Sequence, residues 1–261
     1  MSLVEDLSNE DYHSSPGVSK SMLDVFSRSP HHYWWQYKSG QAPERKETPA
    51  MRQGTIIHTA ILEPDRFVVD YVQSKYKDKR TKAYKELVAQ SKSEGKDVLT
   101  STEYEMAMRC RESVMKNPYA VAALSEGSAE LSAFVEDPKV ENLEVRARFD
   151  WLAPGVIVDL KTTIHAGYEF AHSIRKYRYH LQAAMYSRIA DLCGIEGCEF
   201  IFIAVERDFP YGVGVYKLST EDMYNGLKLY FDLTNRLVEC EALNKWPGYT
   251  QGVEELHAYT K

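Results

Sequence analysis

The sequence predicts an α/β domain, a small mixed β-sheet flanked by helices with a helical N-terminal part. Three observations predict it. Apolar residues recur at helical spacing up to about residue 125. From about residue 128 the period changes to two. Beyond that point short apolar runs alternate with helical stretches, the pattern of strands joined by crossing helices. At 261 residues and 44% hydrophobic composition the chain can close one core without disulfides or a structural metal. It is read as a single domain over 1–261: a mainly helical part to 125, an α/β core over 126–218 and a helical end from 219 to 261.

Each element has its own signal. Ser19-Lys20-Ser21-Met22 opens a short helix running through Phe26 and stopped at Ser29-Pro30. An aromatic run, Tyr33-Trp34-Trp35, follows and is expected to pack a helix onto the core. Residues 41–50, with Pro43 and Pro49, read as a loop. Ile57, Ile61 and Leu62 form a helical stripe over 51–62 that Pro64 cuts off. Two longer helices are expected over 78–94 and 101–116. Residues 130–136 and 144–149 alternate, and Val156-Ile157-Val158-Asp159-Leu160 has the apolar run of a buried strand. Ala153-Pro154-Gly155 makes the turn of a hairpin between the last two. Residues 167–192 read as helical, 199–205 as a buried strand and 212–218 as an edge strand. An amphipathic helix from 220 to 243 closes the chain. The core is expected to have three to five strands.

Several classes fall away. No run of 18 or more apolar residues is present, so no membrane partner is expected. The first residues are acidic and lack a signal-peptide pattern, and Cys110, Cys193, Cys198 and Cys240 do not form a disulfide framework. A reduced, cytoplasmic protein is the expectation. There is no phosphate-binding Gly-x-x-x-x-Gly-Lys loop, so no nucleoside triphosphate is used. No Cys-x-x-Cys pair supports an iron–sulfur cluster.

The densest chemical signal is Arg146-Ala147-Arg148-Phe149-Asp150 followed by Val158-Asp159-Leu160-Lys161-Thr162-Thr163. On a strand, residues two apart share a face, so Asp159 and Lys161 project together. A hairpin partner brings Asp150 beside Asp159. Two carboxylates at a strand end suit Mg²⁺, which keeps waters and takes phosphate oxygen as a further ligand. A lysine beside them can orient or deprotonate a water and offset charge on a phosphate. Alone, an Asp-x-Lys is a common surface ion pair. An apolar strand makes an isolated carboxylate costly, which sets the metal reading beside the ion-pair reading as an equal alternative. Gln182 and Tyr186, four residues apart, share a helix face. That face suits a DNA backbone oxygen or a positioned water, the plainer reading being a surface glutamine and a core tyrosine.

These stretches carry a resemblance. The chain resembles the RecE-type exonucleases (the C-terminal nuclease domain of exodeoxyribonuclease VIII), which belong to the PD-(D/E)XK nuclease superfamily. The resemblance rests on Gly17 to Ser21, Gly54-Thr55 to His58, Leu62-Glu63-Pro64, Arg80 to Ala83, Ala129-Glu130, Arg146 to Asp150 and Val158 to Thr163. Tyr177 to Gln182, Tyr186-Ser187 and Trp246-Pro247 follow in the same order. The superfamily's proline is replaced by Phe149, and the acidic ligand is kept.

The resemblance implies a PD-(D/E)XK core and an Mg²⁺ cofactor, with Mn²⁺ able to substitute. It implies Asp150 and Asp159 as metal carboxylates and Lys161 as the catalytic lysine. His58 is implied as an N-terminal metal ligand, Glu130 as a further acidic catalytic residue, and Leu160, which can only offer its main chain, as part of the metal shell. Gln182 and Tyr186 match the family's Gln-x-x-x-Tyr helix. The implied reaction is 5′-to-3′ digestion of one strand of linear duplex DNA, leaving a 3′ tail for a RecT-type single-strand annealing protein. A ring-like homo-oligomer, trimer or tetramer, is implied with it. The same residues leave open a structure- or sequence-specific endonuclease on the same core, and a non-catalytic DNA-binding recombination protein.

A net charge of −6 argues, taken whole, against DNA. Its distribution does not. Residues 75–96 hold eight basic and three acidic residues, so that segment carries +5 and the rest −11. Lys75, Lys79, Arg80 and Lys82 are expected to form a phosphate track, with Arg175, Lys176 and Arg178 a second one. Arg146, Arg148 and Thr162, which flank the carboxylates, are expected to face DNA as well.

Overall fold

The computed structural model describes residues 2–43, 46–76, 78–250 and 252–255. In chain order the N-terminal part runs β1 (Ser2–Val4), α1 (Asn9–Ser14), α2 (Lys20–Arg28), α3 (Pro30–Tyr37), α4 (Pro49–Leu62), α5 (Pro64–Asp70) and β2 (Tyr71–Gln73). It continues through α6 (Lys82–Ser93), β3 (Asp97–Leu99), α7 (Ser101–Lys116) and α8 (Pro118–Ala123). The core follows as β4 (Ser128–Glu136), β5 (Glu144–Ala153), β6 (Val156–Thr163), α9 (Phe170–Lys176), α10 (Tyr179–Leu192), β7 (Glu199–Glu206) and β8 (Val213–Lys217), with α11 (Thr220–Leu243) at the end.

The main sheet has six strands in the order β1-β4-β5-β6-β7-β8, so it is larger than the three to five expected. The added strand is β1, whose Ser2–Val4 pairs antiparallel with Ser132–Phe134; three residues are too few to show a period. Within this sheet β6 and β7 are the parallel pair, with α9 and α10 making the crossover between them, and β2 and β3 form a separate two-stranded parallel sheet. The β5–β6 hairpin forms over the Ala153-Pro154-Gly155 turn, as expected.

Helices cover both faces. α2, α3, α10 and α11 bury Leu23, Phe26, Tyr33, Leu181, Met185 and Tyr230 against one face. α4, α7 and α8 bury Ile57, Ile61, Cys110, Val114 and Ala120 against the other, where Val158 and Leu160 point. Both faces of β6 and β7 are therefore apolar, as the sequence of those strands requires. Gly226 lets α11 lie against α10, since a Cβ there would stand 2.1 Å from the His180 carbonyl oxygen. Tyr33 stacks on Trp246 and meets Phe26 edge-on, so Tyr33 packs the core as expected, whereas Trp35 of the same run is exposed.

Two helix boundaries differ from expectation. The helix expected over 78–94 starts at Lys82, because Asp78 folds a turn with Arg80 and the Thr81 hydroxyl caps the helix. The stretch 167–192 is two helices, broken where Arg178 takes a left-handed φ of 51°. No helix among the described residues is long and apolar enough to cross a membrane, and all four cysteines are free. Lys77, counted in the basic segment, lies outside the described residues.

Candidate metal centre

The site grows out of an irregularity in the sheet. Ala129 pairs with Trp151 and Leu131 with Phe149, which leaves Glu130 and Asp150 facing each other without a regular ladder pair. Ala129 and Trp151 pack with α4 and α7, whereas Leu131 and Phe149 pack with α10. Residues two apart on a regular strand share a face, so the alternation slips by one at Glu130 and Asp150. Glu130 takes a left-handed φ of 52°, a region costly for a side chain bearing a Cβ.

The β5–β6 ladder ends at Trp151 and Val158, and the strands part from there outward. Asp150 fills the gap, its Oδ2 accepting the Leu160 N–H at 2.8 Å. From α4, His58 reaches the same gap, with its Nδ1 3.7 Å from Asp150 Oδ2. One ligand atom each of His58, Glu130 and Asp150 lies within 4.8 Å of the others. The helix α4 that carries His58 is secured by the Thr48 hydroxyl cap and by Pro49 in its first turn.

Electrostatics follow from burial. Burial and then the Asp150 charge push the Glu130 carboxyl up to about 8. Burial raises Asp150 too, against the pull of Lys161 and the Leu160 N–H. His58 is pulled down to about 4 by burial and by Lys161, so its imidazole is neutral near pH 7 and free to ligate. Two crowded carboxylates and a neutral imidazole are a hard-oxygen and nitrogen donor set that fits a divalent ion such as Mg²⁺ or Mn²⁺. A cation between the carboxylates offsets the burial that raises both and the Asp150 charge that raises Glu130 further.

Asp159 does not join those three ligand atoms, contrary to its expected place among the metal carboxylates. It sits on the α10 side of β6 and is 1% exposed. Its Oδ1 accepts from Gln182 Nε2 and its Oδ2 stands 2.5 Å from Lys161 Nζ. Burial pushes Asp159 up to about 6, and Lys161 opposes the rise. Lys161 itself is raised: burial pulls it down, but Asp159 and Asp150 outweigh that pull. It therefore stays an ammonium, a donor rather than a base. Gln182 is equally committed, since its amide orients Asp159 instead of facing a phosphate. Tyr186 packs edge-on against Phe149 and Phe200, the core reading of that residue.

Two expected DNA contacts are corrected. Arg146 is buried, and its guanidinium donates to the main-chain carbonyls of Tyr12, His13 and Ser15. Arg148 donates to Leu7, Ser8 and Asn9 and to the Ser132 hydroxyl. The terminal nitrogens of both are taken by the N-terminal segment, while Arg146 Nε has no partner among the described residues. Thr162 and Lys176 line a cleft beside Lys161. Arg178 stands 3.9 Å from Asp24, and Arg175 contacts His172. Lys75, Lys79, Arg80 and Lys82 lie in and after the β2–α6 turn, and none lines the two clefts that flank the centre.

Sequence reasoning passed over Lys20 and Tyr179 as site residues. The Tyr179 ring lies 4.8 Å from Lys161 Nζ and 5.5 Å from Lys20 Nζ. Lys20 is held by Asp24 at 2.7 Å and by the Tyr177 carbonyl at 2.6 Å. Both residues stand inside stretches that carry the resemblance, which was the available signal.

No curated protein matches the chain. A crystal structure from Eubacterium rectale described as "Putative exonuclease" shares its fold, with a TM-score of 0.63 over 96% of this chain and 97% of that one, at 16% identity. A second structure, SSO0001, covers 69% of this chain and 84% of its own at 16% identity, with a TM-score of 0.29. The family described as a PDDEXK-like domain of unknown function (DUF3799) matches residues 19–258, nearly the whole chain, and the chain belongs to it.

Proposed function

We propose that this chain is a metal-dependent deoxyribonuclease of the RecE type, an exonuclease that digests one strand of linear duplex DNA from its 5′ end. The observation that carries the reading is the adjacency of two charge systems. His58, Glu130 and Asp150 form one, and the Asp159–Lys161 pair, on either side of Leu160 along β6, forms the other. Membership of a PDDEXK-like family supports it, as does the fold shared with a protein described as an exonuclease.

When bound, Mg²⁺ supplies positive charge for a phosphate oxygen and lowers the pKa of water. His58, Glu130, Asp150 and the Leu160 carbonyl would hold it. Gln182 fixes Asp159, and Asp159 fixes the Lys161 ammonium. Lys161 then offers N–H donors to the scissile phosphate and orients the attacking water. The resemblance extends the proposal to a cytoplasmic homo-oligomeric ring and a RecT-type annealing partner for the 3′ tail. Exposed Lys75, Lys79, Arg80 and Lys82 are proposed to hold the duplex away from the centre, so binding weakens as salt rises.

Linear duplexes labelled at either the 5′ or the 3′ end test the reading. With Mg²⁺, mononucleotides should leave from the 5′ label, and EDTA should stop all release. Asp159→Ala should be inactive, and Lys161→Ala should lose cleavage while keeping most DNA binding. A covalently closed plasmid should stay intact. Its linearisation would favour the endonuclease reading, and full activity of Asp159→Ala would remove the site assignment.

A further inference from the structure

A cleft of about 520 Å³ adjoins the Lys161 side of the centre. Its walls include Thr162 and Thr163 at the end of β6, Lys176, Tyr177, Tyr179 and Arg207. Tyr179 is the shared wall, since its ring also faces Lys161 Nζ at 4.8 Å. The Tyr177 and Tyr179 rings lie 5.7 Å apart at 31°, and Lys176 Nζ stands 5.2 Å from the Tyr177 ring centre. Tyr177 is 47% exposed and borders the cleft, so the residue is within reach of a ligand there.

Arg207 adds a second, independent observation. Its main-chain N–H bonds to the Thr163 carbonyl at 3.2 Å, and one terminal nitrogen donates to Gln53 Oε1 at 3.3 Å. Its Nε is out of reach of solvent and has no hydrogen-bond partner among the described residues. Arg207 borders the cleft, and a phosphate oxygen is the acceptor that guanidinium geometry suits best. The one carboxylate on the lining, Glu169, lies 3.4 Å from His165 and is thereby engaged.

We propose that this cleft is a subsite for an unpaired nucleotide of DNA, its base stacked on Tyr177 and its phosphate held by Lys176 and Arg207. The inference rests on the nuclease reading above and specifies what the enzyme takes into its site. The volume is that of a small-molecule pocket and admits one nucleotide, not a paired duplex end. Stacking on an aromatic face tolerates any base, so the subsite selects single-stranded character without selecting sequence. An anion site alone would need cations but no open ring. Here ring and cations border the same space.

Two measurements on the full chain test it. The first is kcat/KM for linear duplexes whose last three nucleotides on each strand are either normal or abasic. The parent protein should lose about ten-fold on abasic ends. Tyr177→Ala should lose about ten-fold on normal ends and nothing more on abasic ones, while Tyr177→Phe should match the parent. The second is fluorescence anisotropy with a short labelled single strand, normal or abasic, which needs no cleavage. The parent should bind the normal strand more tightly, and Tyr177→Ala should erase the difference. If Tyr177→Ala keeps the parent's preference for normal ends, the subsite is wrong while the nuclease reading stands. If nothing is cleaved but anisotropy shows the preference, the subsite stands and the nuclease reading fails. If neither assay shows any preference in the parent, the subsite is overturned.

Discussion

Glu130 concentrates the tension between folding and chemistry in one residue. Its left-handed backbone costs on the order of 1 kcal/mol or more. Its carboxyl, buried against Asp150, is pushed up to about 8, a further cost of placing charge there. Neither feature helps the sheet, and both accompany a carboxyl oxygen placed within reach of His58 and Asp150. Glu130→Gly should therefore remove both costs, since glycine accepts a positive φ. We expect its melting temperature to rise by a few degrees while Mn²⁺ affinity, followed by calorimetry, falls at least ten-fold. A variant that is less stable than the parent would show that Glu130 supports the sheet instead. Glu130→Gln keeps the side-chain volume and should lose the metal without gaining the backbone relief.

At the scale of elements, the decisive contacts are those that lock helices onto strand ends. Asp137, just past β4, accepts from Arg188 of α10 and, at 2.9 Å, from the Tyr230 hydroxyl of α11. The side chain is fully buried, so one carboxylate ties three elements together. Burial pushes its pKa up, but Arg188, the Lys139 N–H and Tyr230 outweigh that and leave it lowered. A lowered carboxyl contributes stability that is present above its unfolded pKa and lost as pH falls through the folded one. The parent should thus lose stability in acid below the usual carboxylate range, whereas Asp137→Asn should lack that part of the slope. Arg188→Met should cost about 3 kcal/mol at neutral pH, because it leaves a buried carboxylate partly unpaired. Urea denaturation across pH checks both. The long elements are legible in the sequence because the helical period announces them, as with Ile57, Ile61 and Leu62 in α4. Asp150, Asp159 and Lys161 were legible as a cluster, because the strand period and the Pro-Gly turn place them at one end of a hairpin. What was not legible is the slip at Glu130, which sends Asp150 to the His58 side and leaves Asp159 to Gln182. Backbone φ has no signature in a glutamate, and the commitments of Arg146 and Arg148 depend on a segment more than a hundred residues away.

For the whole molecule, the N-terminal segment is a structural wall of the site. Asp6, Ser8 and Asn9 line the cleft on the Glu130 side, and β1 adds the sixth strand beside β4. Two arginines from β5 hold the segment through its carbonyls, and both stack on the Tyr12 ring, at 5.1 and 4.3 Å. Arg146 is 5% exposed, so its charge is stable only while those carbonyls surround it. Deleting residues 1–16 should therefore destabilise the rest of the chain by more than the lost contacts alone, roughly 3–5 kcal/mol. Arg146→Met should be costly in the full chain for the opposite reason, as the carbonyls of Tyr12, His13 and Ser15 lose their donor. Combined, the two changes remove the charge and its partners together. The double variant should recover part of the stability lost by the deletion, a coupling measurable as non-additive unfolding free energies. Additive losses would mean that water reaches Arg146 once the segment is gone, and that the segment only walls the cleft without supporting the sheet.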